Sequence, residues 1–366
     1  MIAYVLPTRD RPGELARTLA AIGRLAAHGP GADAATAAEV VVVDNASRTP
    51  ARGPNWLDNG VAVRVVRLEH NEGAAARNIG VRGTRADTEW VVMLDDDSAP
   101  LDDRFVRALD EYPADVAAVT ADIFLPDGSR ERGGLPEVPI GCGVALRRWA
   151  FAAAGGYDAA FGYYAEEYDL AAKLIRAGRR VVFDPRFRVV HRKVPGGRDM
   201  GVILGRLVRN NGWVVQRYAP DAELGERLEE NERRYGAIAR KEGAVEGYER
   251  GLAELRATIG AQQRTPMGES EWARFTGLAA AREALGAAHG ERPFASAELI
   301  ERGKNDWAVE LALRELGVEV VGSGADVRVI GTMSPGPMLD AAERMPDAIA
   351  PWAMCRQVLD PARLAA

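Results

Sequence analysis

VVMLDDDSAP, residues 91–100, is the stretch that decides how the chain is read. An apolar run breaks at once into three carboxylates, Asp95, Asp96 and Asp97. Adjacent like charges repel and an apolar run favours burial, so this junction needs something to compensate it. In open α/β sheets, ligands bind outside the carboxyl ends of the strands. Carboxylates placed there can hold a hard divalent cation, which in turn ligates phosphate oxygens. The plainer alternative is an acidic turn or a helix N-cap, and the short pattern does not choose between them alone.

Outward from that stretch, apolar runs alternate with helical patterns. Residues 2–6, 40–43, 61–68 and 90–94 read as strands, and 40–43 is continuous, as expected of a strand buried on both faces. Between them, residues 12 to about 28 repeat Leu15, Leu19 and Ile22 at helical spacing, and 74–83 form a short helix. This alternation predicts an α/β domain with a mostly parallel sheet. Beyond Val116 the pattern is less regular. Residues 140–146 read as a strand, 166–177 as a helix ended by Gly178, 181–183 and 189–190 as two short strands, and 200–218 as a helix.

At 366 residues, two or three domains are expected at roughly 150 residues each. Composition shifts near Pro220. Residues 219–290 are rich in Ala, Glu, Arg and Leu, with Glu229–Arg233 and Glu230–Arg234 pairs four apart, and read as a helical region. Residues 291–366 read as a small α/β unit with a helix at 307–316, strands at 318–321 and 327–330, and a loop SPGP at 334–337. The division expected is therefore 1–218, 219–290 and 291–366, the last two serving acceptor binding or self-association as a homo-oligomer.

Arg and Lys number 47 against 53 Asp and Glu, a net charge of -6. An acidic chain with no long basic run is a poor nucleic-acid binder. No apolar stretch approaches the ~18 residues of a membrane span. The apolar run 2–6 before Pro7 is too short for a signal peptide. Cys142 and Cys355 lie far apart, with no metal-ligand spacing, which suits a reducing cytoplasm.

Several other polar residues fall on the same rim as the three aspartates. LPTRDRP puts Pro7, Thr8 and Arg9 at the end of the first strand, and VVVDN puts Asp44 at the end of the second. NEGAAARNIG, 71–80, follows the third, where Gly73 permits close backbone approach and Arg77 can meet phosphate or fix a carboxylate; helix capping and surface charge are the plainer reading of Arg77. In YYAEEYDLAAKL, Glu166, Glu167 and Asp169 share one turn, either as ordinary acidic bias at a helix start or as a site lined by tyrosines. His191 follows residues 189–190, and a lone histidine is more often structural than a ligand.

In order, VLPTRDRP, VVVDNAS, NEGAAARNIG, VMLDDDS, GCGVALRR, EEYDLAAKL and VVHRK resemble the family 2 glycosyltransferases of the GT-A fold, a Rossmann-like α/β fold. The resemblance covers about residues 2–218. It implies metal-dependent transfer of a sugar, with inversion, from a nucleotide diphosphate sugar to a hydroxyl-bearing acceptor. Carried over, Thr8, Arg9 and Asp44 touch the nucleoside, Arg77 lies near the nucleotide pocket, Asp95 meets the ribose or metal, and Asp96 belongs with Pro7 and Gly73 to the same nucleotide-binding set. Asp97 binds Mn²⁺ or Mg²⁺, with His191 completing the metal shell, and GCGVALRR walls donor from acceptor. The family's catalytic base is the second member of a Glu-Asp pair. Here that position is Glu167, with Glu166 and Asp169 as alternatives in the same turn. Acceptor contacts are expected from RERGGLPEVP and the helical region. The competing functions are a haloacid-dehalogenase-type phosphotransferase, whose aspartate motif normally belongs to the first strand, and a non-catalytic sugar-nucleotide-binding protein.

Overall fold

The computed structural model describes residues 1–193 and 199–359. Eleven strands are found among them: β1 (Ile2–Thr8), β2 (Ala38–Asp44), β3 (Ala62–Arg67), β4 (Trp90–Met93), β5 (Ser98–Pro100), β6 (Val116–Phe124), β7 (Val144–Arg147), β8 (Arg180–His191), β9 (Ser296–Ile300), β10 (Glu319–Val321) and β11 (Val327–Ile330). The helices are α1 (Pro12–Gly23), α2 (Ala76–Arg82), α3 (Arg104–Ala108), α4 (Arg148–Ala153), α5 (Glu166–Arg176), α6 (Met200–Tyr218), α7 (Leu224–Glu242), α8 (Val245–Thr258), α9 (Glu269–Thr276), α10 (Leu278–Glu291), α11 (Asp306–Glu315), α12 (Pro335–Arg344) and α13 (Met354–Val358).

Eight strands form one sheet in the order β3-β2-β1-β4-β7-β6-β8-β5. The first four run parallel. β7 is antiparallel to β4 and β6, β8 runs parallel to β6, and β5 pairs antiparallel with β8. Every residue of β1 is buried, because helices cover both faces of the parallel half. The carboxyl ends of β1, β2 and β4 therefore share one rim, where Thr8, Asp44 and the Asp95–Asp97 turn fall.

Three local readings change. The expected strands at 181–183 and 189–190 are the two ends of one strand, β8, whose register against β6 shifts near Asp184 and Pro185. Proline cannot donate to a ladder, so the sequence shows a break where the strand only bulges. SPGP is no loop: Ser334 precedes α12 and Pro335 opens it, a position where proline's missing N–H costs nothing. Finally, Glu230 pairs with Arg233 rather than Arg234.

The helices after residue 218 pack back onto the first part of the chain. α6 and α8 approach closely because Gly201 and Gly205 face Gly247 and Gly251, and a Cβ on Gly205, Gly247 or Gly251 would collide with the opposite backbone. One apolar core runs from Leu135, Phe161 and Trp213 through Trp272 and Leu285 to Leu313, Met338 and Trp352, crossing both expected boundaries. β10-β9-β11 forms a separate parallel sheet within this assembly.

Candidate active site

The Asp95–Asp97 turn is closed by Ser98, whose Oγ accepts from the Asp95 N–H at 2.8 Å. Its three carboxylates then point to different partners. Asp96 turns toward β1, where Thr8 Oγ1 donates to it at 2.8 Å and Arg11 Nη1 at 3.2 Å. Burial, aided by the charges of Asp95 and Asp97, pushes the Asp96 carboxyl up to about 6 despite those donors. Asp95 pairs with the buried guanidinium of Arg77 on α2. Asp97 is reached by Arg11 at 3.2 Å and faces His191 Nε2 at 3.4 Å.

His191 arrives there because β5 pairs with β8, setting Ser98 directly opposite it. Its Nδ1 lies 2.7 Å from Glu131 Oε2 and 3.7 Å from Cys142 Sγ. Burial opposes charge on the ring, yet its contacts with Asp97, Cys142 and Glu131 push it up to about 12. A carboxylate behind one ring nitrogen orients the other, as metal-binding histidines require. Asp95, Cys142 and His191 bring ligand atoms within 4.8 Å of one another. Burial pushes the Cys142 thiol up to about 11, so it stays protonated and is a poor ligand for a hard ion. Asp95 and His191 lie close enough to share an ion, and Asp97, 3.4 Å from His191 Nε2, adjoins them; their carboxylate oxygens suit Mn²⁺ or Mg²⁺, and the His191 nitrogen joins the set when a bound ion displaces its proton.

The approach to α5 is strained. Gly162, Tyr164 and Ala165 all have positive φ (66°, 75° and 66°), which costs energy in the two residues bearing side chains. Asn210 on α6, with no exposed surface, holds this turn: its Nδ2 lies 2.7–3.0 Å from the carbonyls of Phe161, Tyr163 and Tyr164. Glu166 and Glu167 follow at the helix start. Glu166 is buried, and its Oε2 has no hydrogen-bond partner. Glu167 is half-buried and accepts from the Gly141 N–H at 3.1 Å. Burial raises both carboxyls above the usual range, and the Glu167 charge raises Glu166 further. Asp169 is fully buried instead between Arg217 at 2.8 Å, the Tyr218 hydroxyl at 2.7 Å and Lys173 at 2.6 Å.

Glu167 opens into a cavity of about 730 Å³. One wall is the loop carrying Arg132–Gly134 and Ile140; a second is α7, with Arg234 and Tyr235; a third comes from the last part of the chain, with Lys304 and Ser334. The walls are fastened together. Ser334 Oγ donates to the Gly133 carbonyl at 2.7 Å, and the buried Arg130 joins Asp122 at 2.8 Å, Asp340 at 2.9 Å and Glu343 at 2.7 Å.

Residues 4–162 match the family model described as Glycosyl transferase family 2. This part of the chain is a family 2 glycosyltransferase domain. Two pre-mycofactocin glycosyltransferases of Mycobacterium tuberculosis, from strains CDC 1551 / Oshkosh and ATCC 25618 / H37Rv, are each 24% identical over 214 residues. The match covers 52% of this chain and 42% of those relatives, so the chain spans under half their length. The crystal structure of GalNAc-T7 with UDP, GalNAc and Mn²⁺ superposes with a TM-score of 0.50 at 17% identity, covering 71% of this chain and 57% of that one. That likeness gives the glycosyltransferase domain a GT-A fold.

The structure gathers Thr8, Arg77, Asp95, Asp96 and Asp97 from the matched residues, and His191 from beyond them, along one sheet edge. Arg9 is exposed beside them. Asp44 is wholly buried, its two oxygens receiving the Ser47 and Ala51 N–H groups, both at 2.9 Å, and Arg67 at 2.8 Å. Gly73 does make a close backbone approach, and its neighbour is the Gly162 carbonyl. Cys142, which showed no ligand spacing in the sequence, lies beside His191 through the fold alone. The sequence left Asn210 and Lys304 unmarked, and it carried Arg11 and Glu131 only inside VLPTRDRP and RERGGLPEVP, with no role of their own.

Proposed function

We propose that the protein is a metal-assisted inverting glycosyltransferase that moves a sugar from a nucleotide diphosphate sugar to a hydroxyl group of an acceptor seated in the 730 Å³ cavity. The observation that carries this reading is the position of Glu167. It lines the cavity on one side, while its neighbour Glu166 lies within electrostatic reach of Arg77 and Asp95 on the other. A base at that point faces both substrates.

Asp95, Asp97 and His191 would hold Mn²⁺ or Mg²⁺, whose charge would offset that developing on the leaving diphosphate; the GalNAc-T7 structure contains Mn²⁺. Glu131 orients His191, and Arg77 orients Asp95. Thr8 and Arg11 hold Asp96, fixing the turn that presents its neighbours. Gly141 aims the Glu167 carboxylate. As the acceptor oxygen attacks the anomeric carbon, its proton passes to Glu167, whose raised pKa strengthens it as a base. The bond from that carbon to the diphosphate breaks on the opposite face, the electron pair leaves with the diphosphate, and the configuration inverts. Glu166, kept neutral by burial, adds no second negative charge there.

The dehalogenase-type alternative has no support in the comparisons. The buried thiols Cys142 and Cys355 are both unpaired, which suits a reducing compartment, and we place the protein in the cytoplasm. No helix among the described residues is long and apolar enough to cross a membrane.

A thermal-shift screen of nucleoside diphosphates with and without Mn²⁺ tests the donor side. A ligand at 100 times its Kd stabilises the native state by about 2.7 kcal/mol, so the correct base stands out and its effect requires the ion. Slow hydrolysis of the matching sugar nucleotide, giving the inverted anomer, separates a transferase from a binding protein. No nucleoside diphosphate shift, or a retained anomer, refutes the proposal.

A further inference from the structure

Four cations open onto the cavity with no carboxylate partner among the described residues: Arg132, Arg234, Lys241 and Lys304. The other basic side chains there are already paired: Arg130 as above, Arg302 with Asp306 at 3.0 Å and Glu310 at 2.6 Å, and Arg344 with Glu301 at 3.2 Å. Of the acids lining the cavity, Asp340 and Glu301 are spent in those pairs, which leaves Glu167. A protein of net charge -6 thus keeps a positive surplus inside one cavity beside its candidate base.

Arg234 and Lys304 are the centre of this surplus. They come from α7 and from the loop after β9, both are half-buried, and each lies within the other's electrostatic reach. The neighbouring Arg233, not Arg234, takes Glu230. Among the described residues Lys304 Nζ donates to the Tyr168 hydroxyl alone, and it lies 4.1 Å from that ring's centre. Two adjacent, partly desolvated cations without a counter-ion are costly unless an anion completes them. Thr8, Asp44, Arg77 and Asp95 are absent from the cavity lining, so the strand-end residues proposed for the donor lie outside the space onto which these cations open.

We infer that the acceptor carries a phosphate group, held by Arg234 and Lys304 with Arg132 and Lys241 at the mouth, while Glu167 faces the hydroxyl to be glycosylated. This rests on the glycosyl-transfer reading above. The charge surplus suits a dianion better than a carboxylate, and the cavity volume suits a small ligand or the end of a larger one.

Lys304 also supplies a proton readout. Burial first, and the Arg234 charge second, lower its pKa to about 7, while Glu167 opposes them. Facing it are Glu167 and Tyr168 on α5 and Arg234 and Tyr235 on α7, with Glu301 and Arg302 on its own loop. A bound anion favours the charged lysine, so binding near pH 7.5 takes up a proton. Inorganic sulfate, which does not titrate there, isolates that uptake.

The full chain is titrated calorimetrically with glycerol 3-phosphate, glycerate and glycerol, with and without a nucleoside diphosphate. Glycerol 3-phosphate is expected to bind at least about tenfold more tightly than glycerate, and glycerol weakest. Arg234→Gln and Lys304→Gln each weaken it about 10- to 100-fold, the scale of a lost charge-assisted hydrogen bond, and Lys304→Arg restores most of the loss. Sulfate binding in buffers of different ionisation enthalpy shows proton uptake that Lys304→Gln removes. The exposed pair Arg132→Gln/Lys241→Gln, which touches no packing, weakens glycerol 3-phosphate about threefold and guards against misfolding of the inner variants. Equal binding of glycerate, or wild-type affinity in every variant, overturns the inference. So does a loss of nucleoside diphosphate affinity in place of glycerol 3-phosphate affinity, because the cations then serve the donor. Lys304-dependent glycerol 3-phosphate binding by a wild type that binds no nucleoside diphosphate supports the phosphate site and sinks the transferase reading instead.

Discussion

Glu167→Gln isolates basicity from shape. The amide oxygen of glutamine can still accept the Gly141 N–H, now 3.1 Å from Glu167 Oε1, so the side chain keeps its anchor and volume. What disappears is the proton acceptor. General-base catalysis supplies roughly 10²–10⁴ in rate, or about 3–5 kcal/mol of barrier at 1.36 kcal/mol per decade. The neighbour moderates the loss. Without the Glu167 charge, Glu166 loses one of the three causes holding its pKa up and becomes a partial substitute base. The single variant should therefore fall near the low end of that range and Glu166→Gln/Glu167→Gln near the high end. The assay is initial-rate release of nucleoside diphosphate from the sugar nucleotide at saturating donor, across pH. A base works only when deprotonated, so wild-type activity is lost as pH falls through its raised pKa, above the ~4.3 of an ordinary glutamate. Glu167→Gln should abolish that limb and leave donor affinity within about twofold. A Glu167→Gln enzyme with the wild-type rate and pH profile refutes the assignment.

Asp97→Asn keeps the shape of the turn and removes a charge, so nucleoside diphosphate binding should lose its Mn²⁺ dependence; thermal shifts in Mn²⁺ and in chelator test this, and full metal-dependent binding by the variant counts against Asp97 as a ligand. Gly73→Ala should destabilise by about 2–5 kcal/mol in denaturant unfolding, summing a left-handed φ of 58° with overpacking against the Gly162 carbonyl; a change under about 1 kcal/mol means the contact relaxes freely. Ending the chain after Gly290 strips partners from Leu285 and Trp272 and removes Leu313, Met338 and Leu339, all under 4% exposed. With typical domain stabilities of about 5–15 kcal/mol, that product should show no cooperative unfolding, and a sharp transition would mark residues 291–366 as a separable unit.

The parallel half of the sheet was legible because strands buried on both faces need apolar centres, and residues 2–6 of β1, 40–43 of β2 and the whole of β4 supply them. β6 was harder: VAAVTADIF is diluted by three alanines and carries Asp122, whose charge makes sense only once Arg130 is seen against it. β9, SAELI, alternates buried and half-buried positions too weakly to stand out beside the helices that flank it. At the site, residues at strand ends could be read, since chain order and strand ends alone place them on one rim. Residues defined by a partner far along the chain could not. Glu131 matters because His191 is 60 positions away, and Lys304 because Tyr168 is 136 away. Nothing local distinguishes either from a surface charge.

The loop at 129–134 ties the last part of the chain to the candidate site. Its consecutive residues Arg130 and Glu131 are tied in different directions: Arg130 binds α12 through Asp340 and Glu343, while Glu131 holds His191 at 2.7 Å and Lys193 at 2.6 Å. Both are buried, and breaking a buried ion pair by removing one partner typically costs about 3–5 kcal/mol. Detaching α12 therefore strands the Arg130 guanidinium and frees the backbone that positions Glu131, and with it the orientation of His191 toward Asp97. The same detachment removes Ser334 from Gly133 and opens the cavity wall facing Glu167. The setting of His191 and the cavity wall thus both depend on one six-residue loop, and that loop is held in place by a helix about 200 residues later in the chain.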